Sequence, residues 1–355
     1  MKLNHIYKSI ACGVLLAMTA TSCDLDYNPV DTYSDVTEGV NKTDEKPIFN
    51  SVQDVKTSMV TLHKKFRDRQ EHWYVDKLLI GDAHSDNAYA GTTGAEVVPY
   101  ETNSIEGSNS VLKRDWDRFL GDIAVANRII VGCDQLKALS ESERGKYQSQ
   151  AKIFRAMVMF DMVRLWGNFP VITTVGGDIT EDNVEEMYPT YFPPQNTAEE
   201  AYAQIEKDLT EAVENPNTPT NDTSDKSILT KSVARAMLAK VYAEKPLRDY
   251  AKVIKYADEL AADGFDLVED FSDLWAYDTE KKDCRVRNTK EAILEAHFPP
   301  GSGNWCTWMF GRNLSNWDES FTWAKWITPS RDLIRLYEEQ GDTKRYNESV
   351  VWYDC

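Results

Sequence analysis

The sequence predicts a mainly α-helical protein, and three observations support this fold class. Apolar residues recur every three or four positions over most of residues 48–265. Helix-capping signals begin these stretches, and Gly or Pro ends them. No strong alternation of apolar and polar residues, which would indicate a half-buried strand, occurs before Phe265. We therefore expect a layer of helices followed by a part, residues 266–355, that is richer in loops.

The first 22 residues have the features of an export signal. Two lysines precede an apolar run at residues 10–17, and small residues lead up to Cys23. The run is too short to span a bilayer. A cysteine at this point is typical of bacterial lipoproteins, in which the thiol is diacylated and becomes the first mature residue. We expect residues 1–22 to be a lipoprotein signal peptide and Cys23 to carry palmitate-type lipid; ordinary secretory cleavage is the alternative.

The mature chain begins with a polar, aperiodic stretch. Residues 23–47 contain Asp, Thr and Asn throughout and show neither helical nor strand periodicity. Such a segment cannot bury enough apolar surface to fold by itself, so we interpret it as a flexible tether between lipid and fold.

Charge and motif content exclude several classes of protein. The formal net charge of -18 repels phosphate backbones, so nucleic acid is excluded as a partner. Asp82, His84 and Asp86 alternate as in a calcium loop, but the glycine and the final glutamate of such a loop are absent. The chain has no CxxC, HExxH, GxSxG or phosphate-binding glycine loop. We therefore expect no metal and no cofactor.

Start and stop signals define the helices in chain order. Ser140 with Glu143, and Thr197 with Glu200, form capping boxes. A long loop rich in small polar residues is predicted at residues 81–107. The predicted helices span 52–79, 112–131, 140–166, 197–216, 230–246 and 247 or 248 to 264.

The last two of these helices resemble one tetratricopeptide unit. Small residues on the first helix let the second approach closely, and aromatic residues fill the groove between them. A repeat unit cannot bury its apolar face alone, so a degenerate layer of tetratricopeptide-like helical repeats is expected. The residues concerned are Ala236, Ala239 and Tyr242 on the first helix and Tyr250, Ala251 and Ile254 on the second.

A specific set of segments follows in a fixed order. It comprises WDRFLGDIAVAN at 116–127, AKIFRAMVMFDMVRLWGNFPVI at 151–172, the helix containing Asp208, and the segment from Pro329 to GDTKRY at 341–346. In this combination the sequence resembles the SusD-like (RagB/SusD) family of surface glycan-binding lipoproteins. The resemblance implies a SusD-like N-terminal helical region at 48–265. Residues 266–355 would then be a partial SusD-type C-terminal region, because family members are substantially longer and the fold is incomplete.

The same resemblance implies a function in nutrient uptake. Such proteins are lipid-anchored at the outer membrane, lie over a SusC-like TonB-dependent transporter, and capture oligosaccharides for polysaccharide utilisation without hydrolysing them. Two other functions stay open from the residues alone. One is a glycoside hydrolase of the cell surface, because any acidic protein contains carboxylate pairs. The other is a peptide-binding tetratricopeptide scaffold.

A glycan site needs exposed rings for the sugar face and polar groups for the hydroxyl rim. Two segments offer both. In the Gly-rich segment 301–326, the candidates are Trp305, Trp308, Arg312, Asn316 and Trp317. In the loop at 81–100, where family members often place ligand contacts, they are Asp86, Asn87, Tyr89 and Tyr100. The alternative is that the Trp rings are core and that Asp86 and Asn87 stabilise turns.

Overall fold

The computed structural model describes residues 47–68, 71–90, 96–177, 183–244, 246–274, 277–278, 280, 283–298 and 327–350. The described helices and strands belong to the unit Ile48–Cys355. The predicted signal peptide, Cys23 and nearly all of the tether fall outside these ranges. Within them, no helix is both long enough and apolar enough to cross a membrane.

The described chain is mostly helical, as predicted. A π-helical turn at Glu71–Val75, a short α-helical turn and a second π-helical turn at Leu79–Ala83 follow the first helix. The short strands form two antiparallel pairs, β1 with β4 and β2 with β3. The strands are β1 Ala88–Ala90, β2 Tyr277–Asp278, β3 Asp283–Cys284 and β4 Ile327–Pro329. The helices are α1 Val52–Asp68, α2 Asp76–Leu78, α3 Val98–Glu101, α4 Ser110–Gln135, α5 Glu141–Trp166, α6 Val184–Met187, α7 Ala198–Glu214, α8 Lys231–Ala243, α9 Tyr250–Ala262, α10 Arg331–Gln340 and α11 Thr343–Ser349.

Six helices form the layer that contains the main hydrophobic core. Helix α4 packs on α5, α5 on α7, α7 on α8 and α8 on α9, while α1 covers α4 and α5. The apolar stripe predicted on α1 is buried, with Val55 and Leu62 fully enclosed. Helix α5 is enclosed on most sides, because both α4 and α7 pack along it. Its nearly uninterrupted apolar run is therefore the centre of the core.

Capping sets the starts of α5 and α7 where the sequence predicts them, but the single helix predicted at 52–79 is wrong, because this stretch is divided into α1, α2 and two π-helical turns. Both capping boxes are present, at the starts of α5 and α7. Helix α9 differs, since it starts at Tyr250 instead of at Leu247 or Arg248. Arg248 has a φ of 44°, which a right-handed helix does not allow, and the Asp249 side chain then caps α9.

The predicted inward face of α9 is also partly wrong. Tyr250 and Ile254 are exposed, at 58% and 62%, and do not fill the groove. The ring that packs between the helices is Tyr256, which stacks on Tyr242 at 6.1 Å with an interplanar angle of 2°. The helices pair as expected, but the inward face of α9 carries Val253 and Tyr256.

One buried ion pair connects the centre of the layer. Arg155 on α5 donates from Nε and Nη2 to the two carboxylate oxygens of Asp208 on α7, at 2.8 and 2.7 Å. Both side chains are almost completely buried. The remaining nitrogen, Nη1, donates to Asn127 Oδ1 on α4 at 2.7 Å. The guanidinium therefore joins three helices through charge-assisted hydrogen bonds.

Asn127 extends this network to the chain that leaves α5. Its Nδ2 donates to the backbone oxygens of Ile172 and Thr174, at 2.9 and 3.2 Å. Gln204 adds a hydrogen bond to Asp208 from one turn earlier on α7. Every member thus has a partner, which is the condition under which a buried charge is tolerated.

We predict that Asp208→Asn lowers the free energy of unfolding by roughly 3–5 kcal/mol, because it leaves Arg155 buried without a counter-charge. Glu211→Gln is the matched control. Glu211 lies on the same helix and pairs with Lys152 of α5 at 2.7 Å, but this pair is partly exposed. Its loss should cost no more than about 1 kcal/mol. Denaturant unfolding of both variants measures the difference, and equal losses would contradict a central role for Arg155.

Candidate functional site

The candidate loop is built on a small core of its own. The π-helical turn Leu79–Ala83 buries its two end residues against Val97. Ala90 of β1 and Ile327 of β4 pack on the same cluster. The residues at the two ends of the loop therefore pack together in one small apolar cluster, which we call the apolar base of the loop.

The pairing of β1 with β4 is the feature that organises this region. Tyr89 is opposite Thr328, and Ala90 is opposite Ile327, in antiparallel register. Ile327 is the residue that directly follows the Trp-rich segment 301–326. The backbone pairing therefore brings one predicted ligand segment, the loop, against the residues that directly follow the other.

Two further hydrogen bonds fix the loop. The Ser330 amide donates to the Asn87 carbonyl at 2.9 Å, and the Ser330 hydroxyl accepts from the Leu333 amide to cap α10. On the other side, the Ala90 amide donates to Glu101 Oε2 at 2.8 Å. The loop is thus held by α10 at one end and by α3 at the other.

Three of the predicted ligand residues in the loop lie at the surface. Asp86 and Asn87 are exposed, and Tyr89 on β1 is 40% exposed. The Asn87 amide donates to the Ser85 hydroxyl at 3.2 Å, so the turn is stabilised through Ser85. This arrangement presents a carboxylate, a carboxamide and a ring within four residues of the loop, with the buried Ala88 between Asn87 and Tyr89.

Tyr100 is placed differently from the prediction. It is completely buried, and its hydroxyl donates to Asn109 Oδ1 at 3.3 Å. Burial raises the pKa of the Tyr100 hydroxyl. Asn109 itself caps α4, and its amide donates to the Glu96 carbonyl. Because no face of the Tyr100 ring reaches the surface, it supports the loop from below, and we withdraw it as a direct glycan contact.

Sequence reasoning missed the charged residues beneath the loop. Asp76, at the start of α2, and Asp115, on α4, are both buried, and Arg114 lies against both carboxyl groups. The signal was available, because Asp115 and Asp122 occupy positions within the apolar stripe of α4. Carboxyl groups at such positions need a partner in the fold.

The other predicted site residues lie outside the described ranges. These are Trp305, Trp308, Arg312, Asn316 and Trp317, which stay predictions. Among the residues that the structure does describe, no group of three or more His, Cys, Asp or Glu side chains is placed to hold a metal ion.

Comparison with known proteins identifies the family. A family model described as starch-binding and associating with the outer membrane, SusD-like, matches residues 33–243. The chain belongs to the SusD-like family. The matched range includes the Arg155 network and the first part of the loop's framework, and it extends through α8.

Individual relatives agree with this membership. A SusD-like protein of Bacteroides ovatus is 26% identical over 238 residues, which cover 64% of this chain and 39% of that protein. The SusD-like chain thus spans well under two thirds of its curated relative's length. A SusD superfamily structure from Bacteroides vulgatus covers 81% of this chain and 58% of its own, with a TM-score of 0.63 and 15% identity. A laminarin-binding SusD-like protein covers 64% and 48%, with a TM-score of 0.53 and 21% identity.

We predict that Tyr100→Phe lowers the free energy of unfolding by roughly 0.5–1.5 kcal/mol, the usual contribution of one hydrogen bond. Tyr89→Phe is the control, since it removes a hydroxyl from a surface ring of the same loop and should leave stability unchanged. Denaturant unfolding measures both variants. A stability loss for Tyr89→Phe as large as for Tyr100→Phe would show that the two rings are not divided between surface and core in this way.

Proposed function

We propose that this SusD-like chain binds a glycan at the edge formed by Asp86, Asn87 and Tyr89 together with the Trp-rich segment 301–326. The observation that carries the proposal is the β1–β4 pairing, which joins the loop to the residues that directly follow this segment. The loop therefore pairs with the backbone that directly follows the Trp-rich segment, although the two stretches lie far apart in the sequence.

The chemistry of this edge fits a neutral oligosaccharide. A pyranose offers C–H groups on one ring face, which stack on an aromatic ring such as Tyr89, Trp305, Trp308 or Trp317. Its hydroxyls need donors and acceptors, which Asp86, Asn87, Arg312 and Asn316 supply. Family membership supports the same ligand class, since the family model is described as starch-binding and one structural relative as laminarin-binding.

The place and partner of the protein follow from the family and from the N-terminus. We propose that Cys23 carries the lipid, that this anchors the chain to the outer membrane facing the exterior, and that bound oligosaccharide passes to a SusC-like TonB-dependent transporter. The family description associates these proteins with the outer membrane. Lipid anchoring by more than one acyl chain would be stable enough for this.

Binding without hydrolysis is the form of the proposal that the described residues favour. The carboxyl pair of Asp76 and Asp115 is the pair that lies beneath the loop, and both groups are buried at 0% and 1% exposure. A glycosidase needs two carboxyl groups that flank a bound sugar. Family membership favours glycan binding over the peptide-binding alternative, because the family model is described as starch-binding.

We predict that Tyr89→Ala weakens retention of the protein in polysaccharide gels, with an apparent affinity about tenfold lower. This is the effect expected for the loss of a stacking ring that contributes about 1.4 kcal/mol. Affinity electrophoresis against a panel that includes starch and laminarin measures retention. Trp305→Ala and Trp317→Ala should act in the same direction, with melting temperatures close to that of the original protein.

Tyr250→Ala is the matched control, since it removes a similarly exposed tyrosine ring from α9. Loss of retention in both tyrosine variants would point to a general surface effect and contradict the site. Absence of retention for the original protein on every glycan would overturn glycan binding. Release of reducing sugar would replace it with hydrolysis.

A further inference from the structure

Side chains of helices α2 and α4 meet beneath the candidate loop, and two of them are carboxyl groups. Asp76 begins α2, directly before the π-helical turn on which the loop is built, and Asp115 lies near the start of α4. Both carboxyl groups are buried and lie against the same guanidinium, that of Arg114. Asp76 Oδ1 and Asp115 Oδ1 have no hydrogen-bond donor among the described residues.

The charges around this pair do not balance if both groups are ionised. Arg114 is the cation that contacts both, through a short hydrogen bond to Asp76 and a 3.7 Å ion pair with Asp115. The next cation on α4, Arg118, pairs with Glu71 at 2.8 Å. Two carboxylates and one committed guanidinium would leave one uncompensated negative charge in the protein interior, which is strongly unfavourable.

The neighbouring groups are already engaged elsewhere. On α3, the Tyr100 hydroxyl is directed to Asn109. Lys77, next to Asp76, pairs with Asp161 of α5 at 2.6 Å, and Lys65 of α1 pairs with Asp122. Accordingly, burial raises the pKa of Asp115 to about 9, with the adjacent Asp76 contributing in the same direction.

We propose that Asp115 is a neutral, protonated acid that donates a hydrogen bond to the Asp76 carboxylate. We further propose that this hydrogen bond positions the loop carrying Asp86, Asn87 and Tyr89. The protonation of Asp115 is argued only from the burial and charges of Asp76, Arg114 and Asp115. The second proposal rests on the proposed function, because it assigns Asp115 and Asp76 the role of positioning residues for the glycan edge.

Asp76 and Asp115, here called the acid pair, are connected to the loop through few residues. Asp76 lies three residues before Leu79, which belongs to the apolar base of the loop. Asp115 lies six residues after Asn109, whose side chain holds both Tyr100 and the Glu96 carbonyl. From α3, Glu101 then holds Ala90 of β1. Repulsion between two ionised carboxylates at Asp76 and Asp115 would therefore separate the two supports of the loop, the apolar base at Leu79 and the side chain of Asn109.

Protonation of Asp115 makes stability depend on pH in a definite direction. In the unfolded chain Asp115 ionises near pH 4, whereas in the folded protein it keeps its proton up to about pH 9. The folded state thus holds one extra proton between these values. This contribution to stability is fully present below pH 4 and is lost progressively as the pH rises to about 9.

Asp115→Asn tests this, since the carboxamide is neutral and can donate to Asp76 as the protonated acid does. Relative to this variant, the unfolding equilibrium constant of the original full chain should rise about tenfold per pH unit between pH 5 and pH 8. Asp117→Asn is the matched control. Asp117 is an exposed aspartate two residues further along α4, paired with Lys113, and its replacement should leave the pH slope unchanged.

The loop is followed separately by hydrogen exchange at residues 84–90 and 96–101. We expect protection of these amides, corrected for intrinsic exchange, to fall between pH 7 and pH 9.5 in the original protein but not in Asp115→Asn. The positioning role would be overturned if protection in the original protein did not change between pH 7 and pH 9.5 although Asp115→Asn had lost the pH dependence of stability. Parallel pH slopes for the original protein and Asp115→Asn, or destabilisation of this variant at every pH, would mean that Asp115 is ionised and would overturn the acid pair.

Asp76→Asn gives a second variant should Asp115→Asn fail to fold. It leaves Asp115 as the one carboxylate beside Arg114, so the pH slope should vanish here too, and persistence of the slope would overturn the proposal. Retention in starch and laminarin gels at pH 7 is measured in parallel. If the original protein binds neither these nor other glycans, the proposed function fails, while the pH slopes still decide the acid pair.

Discussion

The fold depends on one buried ion pair, between Arg155 and Asp208. A guanidinium enclosed by three helices must have its charge and its donors satisfied in place, because water cannot supply either. Asp208 takes two of these donors and Asn127 a third. Lysine has the charge but not the planar fork, so it could not make this set of contacts. The network therefore fixes the relative positions of α4, α5 and α7 more specifically than apolar packing alone would.

Helix α4 carries that constraint to the candidate site. Asn127, in the second half of α4, is locked to the ion pair, whereas Asn109, Arg114 and Asp115 at its start hold the loop. Asn127 lies twelve residues after Asp115, which corresponds to about 18 Å along the continuous helix. Since this helix is packed on α1 and α5 along its length, the site is supported by the core of the protein, although its own residues lie at the surface.

Much of the helical layer could be predicted from the sequence, because capping boxes and apolar periodicity are local signals. The start of α9 could not, since the positive φ of Arg248 is imposed by the connection that precedes it. The β1–β4 pair also escaped prediction. A strand of three residues has no visible alternation, and the partner of Ala88 is Pro329. Tyr100 was misplaced for a related reason, as an aromatic residue in a polar loop gives no sign that the chain folds over it.

A neutral sugar draws little affinity from net charge, so the geometry of the rings and polar groups has to be fixed in advance. The loop meets this requirement through anchors in three directions, from Ser330, Glu101 and Asn109. Asp76, Arg114 and Asp115 act indirectly, below the surface that faces the ligand. Acidity at the surface and protonation beneath it thus have separate consequences. The first disfavours binding of phosphate backbones through net charge, and the proposed second determines over which pH range the loop keeps its shape.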